Sequence, residues 1–396
     1  MRSGEQKMIS NQAKILIIDD SRTNRIFLEK QLQKAGFSNI SQSIDGEQGL
    51  EMIAVSPPDL IILDIVMPKI DGFEVCRRTK ENPLTKMIPI IMVTGLDDYD
   101  AKLKCLRYGA DDLLNKPVKP PELLARVNTL VHVKQYFDEL QRLNQQMMDN
   151  LKTAGRIQRA LLPKQFPKVN GLEFDAYYQP TECIGGDYYN VFSVDKENIC
   201  MYIADVMGHQ FDGAMLTVFV KEYISGYSKR VVEMGKAFSP AECLTELDIA
   251  FKKEGFPADL FVTLFITIFN VPTSLLTFSA AGFAQPPIVY GVNGIRELRS
   301  EGKLIMALDC KEPFKENITK LQQGEGIFFY TDGIVEEFNE ANNEHFGYDR
   351  LHNIIATLDV GNEKELIPVV LQRLKQFSKR ETFTDDIALI NFFRRS

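Results

Sequence analysis

The sequence predicts a multidomain protein in which an α/β doubly wound domain is followed by a long helix and an α+β domain. The first observation is a regular alternation between Ala13 and about Leu130. Short apolar runs, "KILIID", "LIILDIV", "IPIIMVTG" and "DLLNKP", are separated by amphipathic segments, and apolar runs of strand length are typical of parallel strands buried on both faces. This pattern predicts a βαβ series with a parallel sheet over residues 12–130.

The second observation is a stretch without helix breakers. From about Glu122 the chain contains no glycine before Gly155 and no proline before Pro163, which predicts a helical linker over residues 122–165. Ten positions of this segment, spaced alternately by three and four, form a stripe with eight apolar residues, as in a coiled coil. The stripe consists of Leu130, Val133, Phe137, Leu140, Asn144, Met147, Leu151, Ala154, Gln158 and Leu161. We therefore expect a homodimer paired through this helix, the alternative being an amphipathic helix packed on its own domain.

The third observation is a change of pattern after "LLPKQFP". Over residues 170–396, strands of period two are separated by glycine turns, with helical stretches near 212–234, 239–254 and 361–378. This arrangement predicts an α+β domain with mostly antiparallel strands.

Composition and charge exclude several classes of protein. The net charge is −8 and no block of lysine or arginine is present, so we expect no nucleic-acid partner. The longest apolar run, Leu260 to Phe269, is about half of the roughly 20 residues that span a bilayer, and the N-terminus lacks the apolar core of a signal peptide. We expect a cytoplasmic protein without a membrane partner. The six cysteines are scattered and indicate neither a zinc site nor a disulfide framework.

Polar residues interrupt the strands of the first domain at their carboxyl ends. They are Asp19, Asp20, Asp64, Thr94 and Lys116. The carboxyl ends of parallel strands converge on one edge of a sheet, where ligands bind. Three carboxylates that meet there repel one another unless a divalent cation lies between them, and oxygen ligands suit magnesium. The alternative is five residues that cap helices independently.

This first domain resembles the receiver domain of bacterial response regulators, which has a flavodoxin-like fold. The motifs "IIDDS", "LILDIVMPKIDG", "VTG" and "NKP" occur in the order of that family over about 118 residues. The resemblance implies that Asp64 is phosphorylated by a sensor histidine kinase or another phosphodonor. It also implies one Mg²⁺ held by Asp20, Asp64 and the Val66 carbonyl group, with Asp19 acting through water.

The resemblance further implies that Thr94 and Lys116 contact the phosphoryl oxygens. One departure concerns the position three residues before the lysine, where the family usually has an aromatic residue and this chain has Leu113. The usual switch of threonine and aromatic residue is therefore not expected here in its common form.

Four aspartates of the C-terminal domain follow or interrupt apolar strands: Asp187 in "IGGDYYNVF", Asp205 in "MYIADVMGHQ", Asp332 in "FFYTDGIVEEF" and Asp385 in "TFTDDIALI". A buried carboxylate without a partner is costly. Four carboxylates without histidine or cysteine favour Mg²⁺ or Mn²⁺, and their charge suits two ions that share a bridging ligand. Successive strand side chains point to opposite faces, so Asp386 is expected to turn away from the ions.

These segments resemble the metal-dependent serine/threonine protein phosphatases of the PPM (protein phosphatase 2C-like) type, in their bacterial SpoIIE-like branch. "IQRALLP" before the domain and "FGYDRL" within it fit that branch. The resemblance implies an antiparallel β-sandwich flanked by helices and two Mg²⁺ or Mn²⁺ ions. Asp205 would bridge the ions, Asp187 and the Val206 carbonyl would complete one ion, and Asp332 with Asp385 would hold the other. The implied chemistry is in-line attack of an activated water on phosphorus, without a covalent enzyme intermediate.

The chain departs from this branch at two positions. Gln210 follows Gly208 and His209 where glycine is common, and Phe283 in "AAGFAQPP" stands where histidine is usual. Both departures spare the expected ligands and affect substrate contacts and a proton donor. His209 is expected to be a loop residue rather than an acid catalyst.

The predicted function is a two-component response regulator whose output domain dephosphorylates phosphoserine or phosphothreonine on a protein. By resemblance, the substrate is a phosphorylated anti-sigma-factor antagonist of the STAS class. One alternative is a catalytically weak scaffold that sequesters a signalling partner in a receiver-dependent way. A second, a diguanylate cyclase suggested by "GGDYY", lacks the second acid because Tyr188 takes its place. A DNA-binding output is disfavoured by the acidic balance.

Overall fold

A computed structural model of the chain describes residues 12–95, 99–207, 211–291, 293–306, 313–357, 365–380 and 382–395. The chain divides into two compact units, Met1–Gln146 and Met147–Ser396. Within the described residues, no helix combines the length and the apolar character that crossing a membrane requires.

The N-terminal unit contains a five-stranded parallel sheet in the order β2-β1-β3-β4-β5. Its strands are β1 (Lys14–Ile18), β2 (Asn39–Ser43), β3 (Leu60–Asp64), β4 (Ile90–Thr94) and β5 (Asp112–Asn115). The helices that alternate with them are α1 (Arg22–Lys34), α2 (Gly46–Val55), α3 (Gly72–Glu81) and α4 (Tyr99–Arg107).

Alternate residues of the strands enter two separate apolar cores, one on each face of the sheet. Ile15 and Ile17 pack on one side with α1, whereas Leu16 and Ile18 pack on the other side with residues of α2 and α3. Because both faces are covered, the central strands β1, β3 and β4 are buried and apolar over nearly their whole length, whereas the edge strand β2 (NISQS) is polar. The predicted doubly wound α/β domain is confirmed.

A single helix, α5 (Pro120–Leu161), has 42 residues. Leu123, Val127 and Val131 near its start are fully buried in the core of the N-terminal unit, while Gly155 and Gln158 near its end are buried against the C-terminal unit. The middle of the helix is exposed, including apolar side chains of the predicted stripe.

The structure corrects the predicted stripe at its two ends. Leu130 packs on the core of the N-terminal unit, Gln158 is 4% exposed, and Leu161 packs on a core of the C-terminal unit. These three residues therefore contact their own chain, and Gln158 has almost no surface left for a seam between two helices. Of the other stripe residues, Val133, Leu140 and Met147 are 58%, 58% and 60% exposed.

The C-terminal unit contains two antiparallel sheets. The first sheet consists of β7 (Tyr188–Ser193), β8 (Asn198–Met207), β9 (Phe261–Asn270), β10 (Leu275–Ala281), β13 (Ile305–Met306) and β14 (Asn317–Lys320). Its strand order is β14-β10-β9-β8-β7, with β13 paired to β9. The second sheet consists of β6 (Leu172–Gln179), β11 (Ile288–Gly291), β12 (Arg296–Glu297), β15 (Glu325–Tyr330) and β18 (Ile387–Arg394), in the order β12-β11-β15-β18-β6. A short hairpin joins β16 (Phe338–Asn339) and β17 (Glu344–His345).

The two sheets pack face to face, with helices on both outer faces. Phe265 of β9 and Phe329 of β15 meet in the core between the sheets, with ring centroids 6.3 Å apart. Helices α6 (Phe211–Glu233) and α7 (Pro240–Glu254) cover the outer face of the first sheet. Helices α8 (Gly347–Ala356) and α9 (Leu366–Ser378) cover that of the second. The expected β-sandwich flanked by helices is confirmed, and α8 is a helix that the sequence pattern did not predict.

Candidate metal centres and active site

The first acidic site lies at the carboxyl ends of the parallel strands in the N-terminal unit. Asp64 is the last residue of β3, Asp19 follows β1, and Lys116 follows β5. The Lys116 Nζ atom lies 2.8 Å from Asp64 Oδ2 and 3.6 Å from Asp19 Oδ2. Ligand oxygens of Asp19, Asp20 and Asp64 lie within 4.8 Å of one another, close enough to hold one cation.

Hydrogen bonds fix the two buried carboxylates of this site. Asp19 accepts hydrogen bonds from the Ser21 amide at 2.7 Å and from the Asn24 side chain at 3.0 Å, and Asp64 accepts one from the Ile65 amide at 2.9 Å. Burial raises the pKa of Asp64 above its ordinary value, while Lys116 opposes that rise. A divalent cation at this position would favour the charged form of Asp64 and so oppose the rise in its pKa.

The other residues predicted for this site lie on the same edge of the sheet. Thr94 is the last residue of β4 and is buried, Asp20 is exposed, and Val66 is 68% exposed in the loop after Asp64. Leu113, which departs from the usual aromatic residue, packs against the core below the sheet.

The second acidic site is assembled from separate segments of the C-terminal unit. Asp187 directly precedes β7, Asp205 lies in β8, Asp332 begins a 3₁₀ turn after β15, and Asp385 precedes β18. Within the described residues, one group of carboxylates with ligand oxygens no more than 4.8 Å apart contains Asp332, Asp385 and a residue that the sequence did not single out, Glu336.

Asp187 and Asp205 lie beside this group rather than within it. The carboxylates of Asp332 and Asp385 raise the pKa of Asp205, and the carboxylates of Asp205 and Asp332 raise that of Asp187, in each case after burial as the largest cause. All five acids therefore share one electrostatic environment.

The four aspartates of this site have raised pKa values. Burial, followed by Asp332 and Asp385, raises the pKa of Asp205 to about 7, and burial, followed by Asp385 and Glu336, raises that of Asp332 to about 6. Burial also raises the pKa of Asp385 above its ordinary value. Oxygen donors that repel one another in this way are a donor set suited to Mg²⁺ or Mn²⁺.

Thr331 connects the segments that carry these acids. Its hydroxyl group donates to Asp187 Oδ2 at 2.6 Å and accepts from the Ala388 amide at 2.9 Å. Gly333 follows Asp332 at a point where a Cβ atom would lie 2.0 Å from the Asp386 carbonyl oxygen. Only glycine therefore allows the turn at Asp332 to lie so close to the start of β18.

Asp385 and Asp386 both precede β18, so the alternation of strand side chains does not apply to them, and the Asp386 carboxylate is close enough to Asp187 and Asp205 to raise the pKa of both. The two Asp386 carboxylate oxygens accept hydrogen bonds from the amides of Thr181 and Gly186, each at 2.7 Å. Gly186 also allows the Val206 carbonyl oxygen to approach, since a Cβ atom there would lie 2.4 Å from it. Gly186 thus serves backbone packing at the acidic site, while a Cβ atom at Gly185 would lie 2.4 Å from Asp386 Oδ2.

The end of α5 contacts the same loop. Gln158 donates to the Gly185 carbonyl at 2.7 Å and accepts from the Gly185 amide at 3.3 Å. A Cβ atom at Gly155 would lie 1.9 Å from the Cys183 carbonyl oxygen, so the helix backbone lies directly on the loop. Gln158 also donates to Thr217 of α6 at 3.3 Å.

The sequence reasoning missed Glu336, Thr331 and Gln158 as parts of this site. The spacing of Glu336, four residues after Asp332, was the available signal for that residue. Phe283 is 8% exposed and packs beside Phe265 between the sheets, with ring centroids 6.3 Å apart. The predictions for Gly208, His209 and Gln210 lie outside the described residues.

Comparison with known proteins identifies both domains. Residues 195–395, just over half of the chain, match the family described as Stage II sporulation protein E (SpoIIE). The chain belongs to the SpoIIE family. Residues 15–128 of this SpoIIE-family protein match the response regulator receiver domain, so both resemblances seen in the sequence are confirmed.

Curated relatives match the receiver part of this SpoIIE-family chain. The receiver part is 41% identical over 128 residues to the response regulator PleD of Caulobacter vibrioides. The match covers 32% of this chain and 28% of PleD. The same part is 40% identical over 118 residues to the alkaline phosphatase synthesis transcriptional regulatory protein PhoP of Bacillus subtilis, covering 30% of this chain and 48% of PhoP. The chain thus spans less than half the length of these relatives.

A solved structure matches the SpoIIE-family part of the chain. The SiaA-PP2C domain of Pseudomonas aeruginosa superposes with a TM-score of 0.56 at 19% identity, covering 64% of this chain and 99% of that domain. This similarity shows that the two proteins share the PP2C fold.

Proposed function

We propose that this protein is a response regulator whose C-terminal domain is a metal-dependent protein serine/threonine phosphatase under the control of Asp64 phosphorylation. The observation that carries the proposal is that ligand oxygens of Asp332, Asp385 and Glu336 lie within 4.8 Å of one another, with Asp187 and Asp205 close enough for the neighbouring carboxylates to raise their pKa. Acids arranged in this way favour cation binding, and membership of the SpoIIE family supports phosphatase chemistry.

In this proposal the C-terminal site holds two Mg²⁺ or Mn²⁺ ions. Asp187, Asp205 and the Val206 carbonyl would hold one ion, and Asp205, Asp332 and Asp385 would hold the other. When bound, divalent ions lower the pKa of a water molecule and offset charge on phosphoryl oxygens. The chain contributes the orientation: Thr331 holds Asp187 at 2.6 Å, and backbone hydrogen bonds along β8 and β9 hold Asp205 opposite Thr263.

The receiver holds one Mg²⁺ in the same proposal, at Asp20, Asp64 and the Val66 carbonyl, with Asp19 acting through water. Asp64 accepts the phosphoryl group from a histidine kinase or another phosphodonor, and Lys116, 2.8 Å from Asp64, offsets the added negative charge together with a contact from Thr94. The receiver match over residues 15–128 supports this input.

The proposed substrate is a phosphorylated protein of the STAS class that antagonises an anti-sigma factor. This finer assignment is supported by resemblance to the family alone. The acidic site itself accounts for hydrolysis of a phosphate monoester.

Helix α5 is the proposed connection between input and output. It begins four residues after Lys116, and its last turns hold the Gly185 backbone two residues before Asp187 through Gln158. A shift or rotation of this helix would therefore displace a proposed ligand.

A second copy of the chain is the proposed partner for the exposed middle of α5. Val133, Leu140 and Met147 lie on one stripe and are more than half exposed, a pattern that favours helix pairing. Receiver phosphorylation would act by changing how two such helices pair.

A phosphatase assay on the full-length protein tests the proposal. We expect Mn²⁺-dependent hydrolysis of p-nitrophenyl phosphate and of a phosphoserine protein substrate. Asp332→Asn should lower the rate of hydrolysis by about 100-fold or more, the effect typical of losing one catalytic group. Beryllofluoride, which mimics the phosphoryl group on Asp64, should change the rate in the wild-type protein and leave Asp64→Asn unaffected.

The same assay separates an enzyme from a scaffold. If Asp332→Asn is folded and the wild-type protein shows no hydrolysis above that variant, the scaffold alternative replaces the phosphatase proposal. If hydrolysis is present but beryllofluoride changes neither the rate nor the oligomeric mass, the proposed control through Asp64 is wrong.

A further inference from the structure

The segment after Asp332 contains two adjacent acids with opposite surroundings. Glu336 is exposed and belongs to the acidic group with Asp332 and Asp385, whereas Glu337 is completely buried. The family resemblance assigns no role to Glu337. Its side chain is buried inside the domain and does not contact solvent.

Glu337 holds the residue that precedes Asp385. Its Oε2 atom accepts hydrogen bonds from the Thr384 amide at 2.9 Å and from the Thr384 hydroxyl group at 2.8 Å. Its own backbone is fixed by the Phe346 amide, which donates to the Glu337 carbonyl at 2.9 Å. One carboxylate oxygen therefore ties together two segments that are 47 residues apart in the chain.

Asp385 is thereby constrained from both sides. On one side, Glu337 holds Thr384. On the other side, Asp385 Oδ1 accepts a hydrogen bond from the Asp386 amide at 2.7 Å. The Asp386 side chain in turn accepts a hydrogen bond from the Gly186 amide. Although neighbouring groups partly desolvate the Asp385 carboxylate, the residue as a whole is exposed, so these backbone constraints determine where its carboxylate lies.

The interaction is a poor way to stabilise the fold. The second oxygen of Glu337 is buried without a hydrogen-bond donor, and no cation pairs with this carboxylate, among the residues that the structure describes. Burying a carboxylate costs free energy. Two hydrogen bonds to only one of its oxygens do not fully offset that cost. The position of Glu337 is instead explained by its effect on Asp385.

We propose that Glu337 is a positioning residue that sets the cation affinity of the C-terminal site by fixing Asp385 through Thr384. The inference rests on the proposed function in that it takes Asp385 to be a ligand. Residues that orient metal ligands typically change metal affinity by about 10- to 100-fold when they are lost. Glu337 also adds negative charge near the site, since its carboxylate contributes to the raised pKa of Asp385.

Calorimetric titration with Mn²⁺ tests the inference on the full chain, with Asp64→Asn in every protein to weaken the receiver site. We expect Glu337→Ala to lower the Mn²⁺ affinity about 10- to 100-fold. Glu337→Gln keeps an oxygen that can accept both hydrogen bonds from Thr384, so it should recover most of that loss. Thr384→Val, which removes one of the two donors, should fall between the parent protein and Glu337→Ala.

The matched control is Glu340→Gln, which neutralises a neighbouring, exposed glutamate that pairs with Arg380. Its Mn²⁺ affinity should equal that of the parent protein. The thermal midpoint in EDTA is the second readout, and we expect Glu337→Gln not to lower it, because a buried charge is removed.

The outcomes are distinguishable from failure of the proposed function. If the parent protein binds no Mn²⁺ at the C-terminal site, the phosphatase proposal fails and this inference falls with it. If the parent binds Mn²⁺ but Glu337→Ala and Thr384→Val bind it equally well, Glu337 does not position Asp385. Equal losses in Glu337→Ala and Glu340→Gln would show an effect of overall charge and would also overturn the inference.

Discussion

Replacement of Asp205 by asparagine is expected to stabilise the metal-free protein while weakening cation binding. Burial and the neighbouring carboxylates raise the pKa of Asp205 from 3.8 to about 7. One pKa unit corresponds to about 1.4 kcal/mol, so keeping this side chain ionised in the folded protein costs at most about 4 kcal/mol. Because Asp205 is not completely buried, we expect a gain of about 2–4 kcal/mol in the free energy of unfolding when the charge is removed.

The sign of the pH dependence follows from the raised pKa. Between pH 4 and pH 7 the folded protein retains a proton on Asp205 that the unfolded chain has released, so the contribution of this group to stability falls as the pH rises. Above about pH 7 the whole cost is present. The advantage of Asp205→Asn should therefore be largest at pH 8 and fall by more than half at pH 5.

Thermal unfolding in EDTA measures this difference, using the transition that shifts when Mn²⁺ is added to the Asp64→Asn protein, whose receiver site is weakened. For a domain of this size, 1 kcal/mol corresponds to about 2–4 °C, so Asp205→Asn should melt about 4–16 °C above the wild-type protein at pH 8. Addition of Mn²⁺ should stabilise the wild-type protein more than the variant. Asp259→Asn, at an exposed position, is the control and should change stability by less than about 0.5 kcal/mol. A variant that melts at or below the wild-type temperature in EDTA at pH 8 would refute the electrostatic reasoning.

Two further predictions concern α5. Gln158→Leu leaves the buried amide and carbonyl groups of Gly185 without their side-chain partner, so urea unfolding should show a loss of about 1–3 kcal/mol in the C-terminal transition; no change would mean that water replaces the glutamine. Leu140→Glu should dissociate a dimer paired through the helix, because two buried leucines contribute about 3–6 kcal/mol and each 1.4 kcal/mol changes the dissociation constant tenfold. Sedimentation velocity would detect the monomer, and an unchanged mass in Leu140→Glu would place the contact elsewhere.

The fold was largely predictable because its patterns depend on local sequence. The central parallel strands β1, β3 and β4 are buried on both faces and so form continuous apolar runs, and α5 lacks glycine and proline over most of its length. Helix α8 was missed for a physical reason. It has ten residues, only Leu351 and Ile355 of its apolar side chains are buried, and no side chain caps its N-terminus, so a short window contains little helical signal.

The aspartates of the candidate site were accessible to sequence reasoning because each follows or interrupts an apolar segment, where an unpaired carboxylate would be costly. Gln158 was not, because a heptad pattern shows which residues share a face of a helix but not what covers that face. It was assigned to a seam between two helices, whereas the structure places it against Gly185 of its own chain. Distinguishing these possibilities requires the tertiary structure.

Two pairs of adjacent acids illustrate how the site is built. Asp385 and Glu336 belong to the central acidic group, while their neighbours Asp386 and Glu337 each hold the backbone of a segment that carries a ligand candidate. Asp386 and Glu337 are themselves charged, and both contribute to the raised pKa of Asp385. The same side chains that position the site therefore also increase the repulsion within it. Cation binding relieves that repulsion, so metal affinity and stability of the metal-free protein should change in opposite directions when Asp205, Asp332 or Asp385 is neutralised.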